Sequence, residues 1–213
     1  MNSATKTVAT SFGIYAGLLG TAHGYFEINQ GNVAPDGIMI NAIGAPCRMN
    51  VVWHACLPAI TIIPSFLVTG ILAIIVGLII AIWAVAFVHK KHGGLVLILL
   101  SMILLLVGGG FIPAFIGITA GAAGTRINAP LTGRQSNRGL LRFLAKLWPW
   151  TLIAYFAWIP VEWLLGYFFN EFLLKQSALA FIFQVGLLLL TVFTAFAFDI
   201  QKNTDRQQDQ LSK

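Results

Sequence analysis

The chain has 213 residues, of which 58% are hydrophobic and only 9% charged, whereas soluble domains carry about 25% charged residues. That excludes the ordinary soluble globular class. A net charge of +6 would suggest nucleic acid in a soluble chain, but these basic residues flank apolar segments, so anionic lipid is the expected partner and nucleic acid is not.

Charge-free stretches at 7–26, 49–89, 92–125, 147–161 and 176–198 predict an all-α, multi-pass transmembrane bundle, since a spanning helix takes about 20 residues. The expected organisation is a single membrane domain with segments at about 7–27, 57–88, 93–107, 111–125, 148–169 and 176–198. An outer loop at 28–56, a basic connector at 126–147 and a polar tail at 199–213 complete it.

In the first segment Gly13, Gly17, Gly20 and Gly24 stack along one helical face. Small residues let helix backbones approach in lipid, so this stripe reads as a helix-packing surface. Only Lys6 precedes the apolar run and Thr21-Ala22-His23-Gly24 is a poor cleavage site, which disfavours a removed signal peptide. His23 and Glu27, four apart, share a face near the end of this segment. The pair suits a proton, metal or substrate site, or a hydrogen-bonded contact between helices.

The outer loop holds Asn29, Gln30, Asp36, Cys47, His54 and Cys56. Two cysteines in an outward loop read first as a disulfide, then as unlinked thiols. His54 and Cys56 are weak metal candidates, because His-Ala-Cys is no established zinc spacing, and no cofactor is expected.

The second segment, Leu57 to Val88, would be about 48 Å long as one helix, too long for a hydrocarbon core of about 30 Å. Pro58 and Pro64 place the regular span from near Pro64 and leave 57–63 as an interfacial or re-entrant entry. His89, Lys90, Lys91 and His92 at its end read as a topology-fixing basic turn.

Gly93 to Gly124 is equally overlong and contains Gly108-Gly109-Gly110 before Pro113. Either one kinked span or a hairpin of two short helices follows, giving five or six membrane segments. The positive-inside rule arbitrates. Five crossings put nine of 13 basic residues inside, whereas the hairpin puts 11 inside and leaves only Arg48 and Lys175 outside. The hairpin is favoured, with both termini cytoplasmic in the cell membrane.

Arg134, Arg138, Arg142 and Lys146 line one side of a helix opposite Leu140, Phe143, Leu144 and Leu147. This amphipathic connector suits an anionic leaflet. Trp148 and Trp150 anchor the next segment at the interface. Glu162 lies near its middle, just after Pro160. A mid-membrane acid costs about 2.5–3.5 kcal/mol by insertion scales and is a functional candidate by default. The tail after Asp199 is polar and expected to be mobile and solvated.

No Walker loop, His-Glu-x-x-His, Gly-x-Ser-x-Gly or dinucleotide fingerprint occurs. The first expectation is transport or binding of a small solute or ion, with Glu162 and the glycine break forming a central site and His23 and Glu27 as further candidates. The alternative is a non-catalytic assembly or accessory subunit, a homo-oligomer or membrane partner docking on the glycine face. An enzyme with an outer-face site built from His23, Glu27, His54 and the cysteines ranks third.

Overall fold

A computed structural model describes residues 1–42, 57–130 and 138–211. Cys47, Arg48, His54, Cys56 and Arg134 lie outside the described residues, as do the disulfide, metal and lipid roles expected of them. The described residues form eight helices and two short strands. These are α1 (Ser3–Ile28), β1 (Met39–Asn41), β2 (Pro58–Ile60), α2 (Phe66–Ala86), α3 (Gly93–Leu106), α4 (Phe111–Gly124), α5 (Arg138–Leu147), α6 (Trp150–Phe168), α7 (Asn170–Lys175) and α8 (Ser177–Leu211). By length and composition α2, α6 and α8 can each cross a membrane, so the chain is a helical membrane protein. α3 and α4 are apolar but only 14 residues each, and the 26-residue α1 is interspersed with polar side chains.

The chain divides into two compact units, Ala9–Thr125 and the combination of Met1–Val8 with Arg126–Lys213.

In Ala9–Thr125, α1 buries a continuous face that includes Phe12, Ala16, Gly20, His23 and Glu27. Its glycine stripe is covered by the same chain. Gly17 lies against Gly77, Gly24 against Gly70 and Gly13 against Ala84, so α2 runs antiparallel to α1, while Gly20 meets Leu104 of α3. In lipid such close approach supplies the dispersion contact that holds helices together. Gly94 abuts the backbone of Gly121 to Thr125 and Ser101 abuts Gly117, so α3 and α4 are antiparallel partners.

The entry to α2 is extended, as its prolines require. β2 pairs antiparallel with β1, Ile40 opposite Ala59. α2 itself starts two residues after Pro64, because the Ser65 hydroxyl caps it by accepting from Val68 N at 3.4 Å. Thr61 then bridges to Val107. Ile62 N donates to Leu106 O at 3.1 Å and Gly108 N donates to Ile60 O at 2.8 Å, which stitches the break between α3 and α4 onto the strand.

In the other unit α6 packs on α8, with Thr151 and Thr194 hydroxyls 2.7 Å apart and Trp158 edge-on to Phe183 at 4.7 Å. Residues 204–210 are exposed, as expected of a polar tail, but the segment is helical. α8 continues unbroken for 35 residues to Leu211. Its polar end consists largely of residues with good helix propensity, and α5 packs alongside the helix. Asp199, expected to be solvated, is 2% exposed. It accepts from Ala4 N at 3.1 Å, Thr5 N at 2.8 Å and Thr5 Oγ1 at 2.8 Å. Asn2 Nδ2 donates to Arg126 O at 2.8 Å and Ala129 O at 3.1 Å, tying the same terminus to the chain beyond α4.

α5 has three faces rather than the expected two. Arg142 and Lys146 are exposed on one, Leu140 and Phe143 are exposed on the second, and Leu141, Leu144 and Ala145 are covered or half-covered on the third. Of the expected apolar side, Leu140 and Phe143 are exposed whereas Leu144 and Leu147 are half-covered, and α8 lies beside the helix.

Candidate functional site

At one end of the Ala9–Thr125 unit, the last two turns of α1, the strand entry to α2 and the break between α3 and α4 converge. His23 and Glu27 come from α1, one turn apart on its buried face. The break supplies their cover. A Cβ on Gly108 would stand 2.5 Å from both carboxylate oxygens of Glu27, and one on Gly110 would overlap the His23 imidazole, 2.7 Å from Nε2. Gly108 and Gly110 also adopt φ of 90° and 87°, a region that side-chain-bearing residues avoid. Steric space and backbone geometry thus demand glycine twice over.

Glu27 is 0% exposed, and neither carboxylate oxygen has a hydrogen-bond partner. His23 is 6% exposed, and its Nδ1 is likewise unpartnered. Buried polar groups are almost always satisfied, so three such atoms one turn apart are a strong anomaly. Helix electrostatics deepens it. Glu27 lies in the last turn of α1, which carries no basic residue and where the helix dipole is negative and favours cations. The positive end of α4 begins next to Gly110, beside the imidazole rather than the carboxylate. The carboxyl group and the carbonyl end of α1 together favour a cation at this end of the helix.

Behind the break runs a short hydroxyl chain. Thr69 Oγ1 donates to Val107 O at 2.8 Å. That leaves Thr61 Oγ1 to donate to Thr69 Oγ1 across 2.5 Å while accepting from Ile63 N at 3.1 Å. Both threonines are fully or nearly fully buried, and they hold the peptide of Val107, whose neighbour Gly108 lies on Glu27. Neither was expected from sequence. A Thr in an apolar helix is common, and only the fold brings residue 61 to residue 69 and both to 107.

The glycine break, expected to form a central site with Glu162, lies against Glu27 and His23. Glu162 is buried in α6 of the other unit, with Trp158 one turn before it as its polar neighbour. The glycine stripe of α1 is buried against α2 and α3. Arg142 and Lys146 are exposed on α5, and Arg138 opens that helix. Among the described residues no three His, Cys, Asp or Glu side chains gather as a metal-ligand group.

No protein-family model, curated protein or solved structure matches the chain. The functional reading therefore rests on the site itself.

Proposed function

We propose that the protein is a multi-pass membrane protein that binds and moves a small cation, or a proton, at Glu27 with His23 beside it. The observation that carries this reading is the fully buried carboxyl group with both oxygens unpartnered, at the carbonyl end of a helix. A cation or proton arriving there completes the unsatisfied oxygens, whereas an anion would meet both the carboxylate and the negative helix end. The turn between α3 and α4 is irregular backbone covered by the protein itself, its peptide groups bonded to β2 and Thr69, as membrane proteins require of such backbone.

Six membrane-embedded helices, α1, α2, α3, α4, α6 and α8, fit this reading better than five. The start of α1 is bonded to Asp199 at the end of the apolar run of α8, which supports an even number of crossings. The end of α1 meets the break between α3 and α4, which supports a break at a membrane face over one at mid-span. Under this arrangement the site faces outward and both termini are cytoplasmic.

The accessory-subunit reading needs the glycine stripe of α1 as a free surface, and α2 and α3 of the same chain cover it. The test is flux in proteoliposomes holding the full chain, challenged separately with gradients of H⁺, Na⁺ and K⁺. The wild type dissipates one of these gradients, and Glu27→Gln slows that flux at least tenfold while retaining the fold. Equal rates for Glu27→Gln and wild type, or no flux above empty vesicles for any of the three, would overturn the proposal.

A further inference from the structure

An open groove of about 570 Å³ lies between α5 and the polar end of α8. Lys146, Lys202 and Arg206 bring cations to it, and Trp148 and Phe198 bring ring faces. Lys202 Nζ stands 6.0 Å over the Phe198 ring, at the outer reach of a cation–π contact. Asp205 and Asp209 also line the groove, so its five charged side chains sum to a single positive charge.

Two independent markers set the depth of this groove. Phe198 ends the apolar run of α8, and residues 201–210 are all polar. Trp148 lines the groove, and Trp150, 68% exposed, opens α6 two residues later. Aromatic rings of this kind sit at the headgroup level of a bilayer. Both helices therefore pass from hydrocarbon to water beside the groove. The exposed apolar face of α5, Leu140 and Phe143, lies next to its basic face, as in helices that rest on a leaflet with their apolar side in the acyl boundary.

We infer that this groove seats the phosphodiester of a singly charged anionic phospholipid, with Lys146, Lys202 and Arg206 around the phosphate and the acyl chains along Leu140 and Phe143. Lysine and arginine bind phosphate oxygens by charge-assisted hydrogen bonds. The two carboxylates bias the groove toward a monoanion and against a polyanionic headgroup. The site involves tail residues of α8 as much as the basic connector, and it is independent of the Glu27 reading.

The test is native mass spectrometry of the full chain in neutral detergent, titrated with phosphatidylglycerol or phosphatidylcholine. Phosphatidylglycerol should be retained at least tenfold more strongly. Lys202→Gln with Arg206→Gln should weaken it about 30-fold, the effect of two near-surface basic residues. Lys202→Arg with Arg206→Lys should keep it, and Lys90→Gln with Lys91→Gln should leave it unchanged. If the doubly neutralised protein fails to fold, Lys146→Gln on exposed α5 should still weaken retention several-fold. Unchanged retention in the groove variants, equal loss in the Lys90 and Lys91 variant, or displacement of the lipid by equimolar inorganic phosphate overturns the inference.

Discussion

Asp199 and Glu27 are both sealed from water, 2% and 0% exposed, yet they meet opposite ends of the same helix. Asp199 sits at the first turn of α1, where free N–H groups and the positive dipole end welcome an anion, and it accepts three hydrogen bonds there. Glu27 sits in the last turn, where carbonyls and the negative end oppose one, and neither oxygen is partnered. A buried carboxylate that is fully hydrogen-bonded at a helix start holds structure together. One left unsatisfied at a helix end costs stability unless something else occupies it, which is the mark of a site.

The contrast is broken most directly by removing each group. Asp199→Ala leaves the first-turn donors of α1 without their acceptor, and hydrogen bonds to charged groups are worth about 1.5–3 kcal/mol each. A loss of about 3 kcal/mol is expected, read as a lowered thermal midpoint in detergent with a frayed N-terminus by hydrogen exchange. Glu27→Gln replaces a buried, unpartnered carboxyl group with a neutral amide and should hold or raise the same midpoint. If the two substitutions destabilise equally, the division between structural and functional carboxylates fails.

The sequence made the parts of this site visible but not their meeting. Helical period puts His23 and Glu27 on one face, and three glycines in an apolar run announce a broken helix. Which residue the break would cover is a tertiary fact, and the apolar count alone drew attention to Glu162 as the acid deepest in a span. Asp199 was harder still. Read locally it is the first charge after an apolar run, hence a solvated tail residue, because its donors lie 194 and 195 residues away in the chain. The polar end of α8 misled for a related reason: composition reports that it lacks an apolar period, but not that α5 packs beside it. The prolines before α2 were legible because proline restricts its own backbone and that of the residue before it, whatever the surroundings.

Gly108→Ala sharpens the comparison at the functional end. Its φ of 90° disfavours alanine by about 1–2 kcal/mol, and the added methyl falls on both Glu27 oxygens. Cation flux should fall as far as in Glu27→Gln, although the carboxyl group is still present. Flux at the wild-type rate would mean that the break merely touches Glu27 and does not shape its site.

Thr69→Val asks whether the hydroxyl chain behind the break matters to the carboxyl group in front of it. Valine keeps the volume, loses the bond to Val107 O and leaves the Thr61 hydroxyl without its acceptor, at a cost of about 1 kcal/mol. The strand pairing of Gly108 N with Ile60 O remains, so the break should loosen rather than detach. The expected outcome is a two- to threefold rise in the cation concentration giving half-maximal flux, with the maximal rate nearly unchanged. A selective fall in maximal rate would instead place the threonines on the path of the moving proton or ion, since a group that only positions Gly108 alters occupancy of Glu27 before it alters passage.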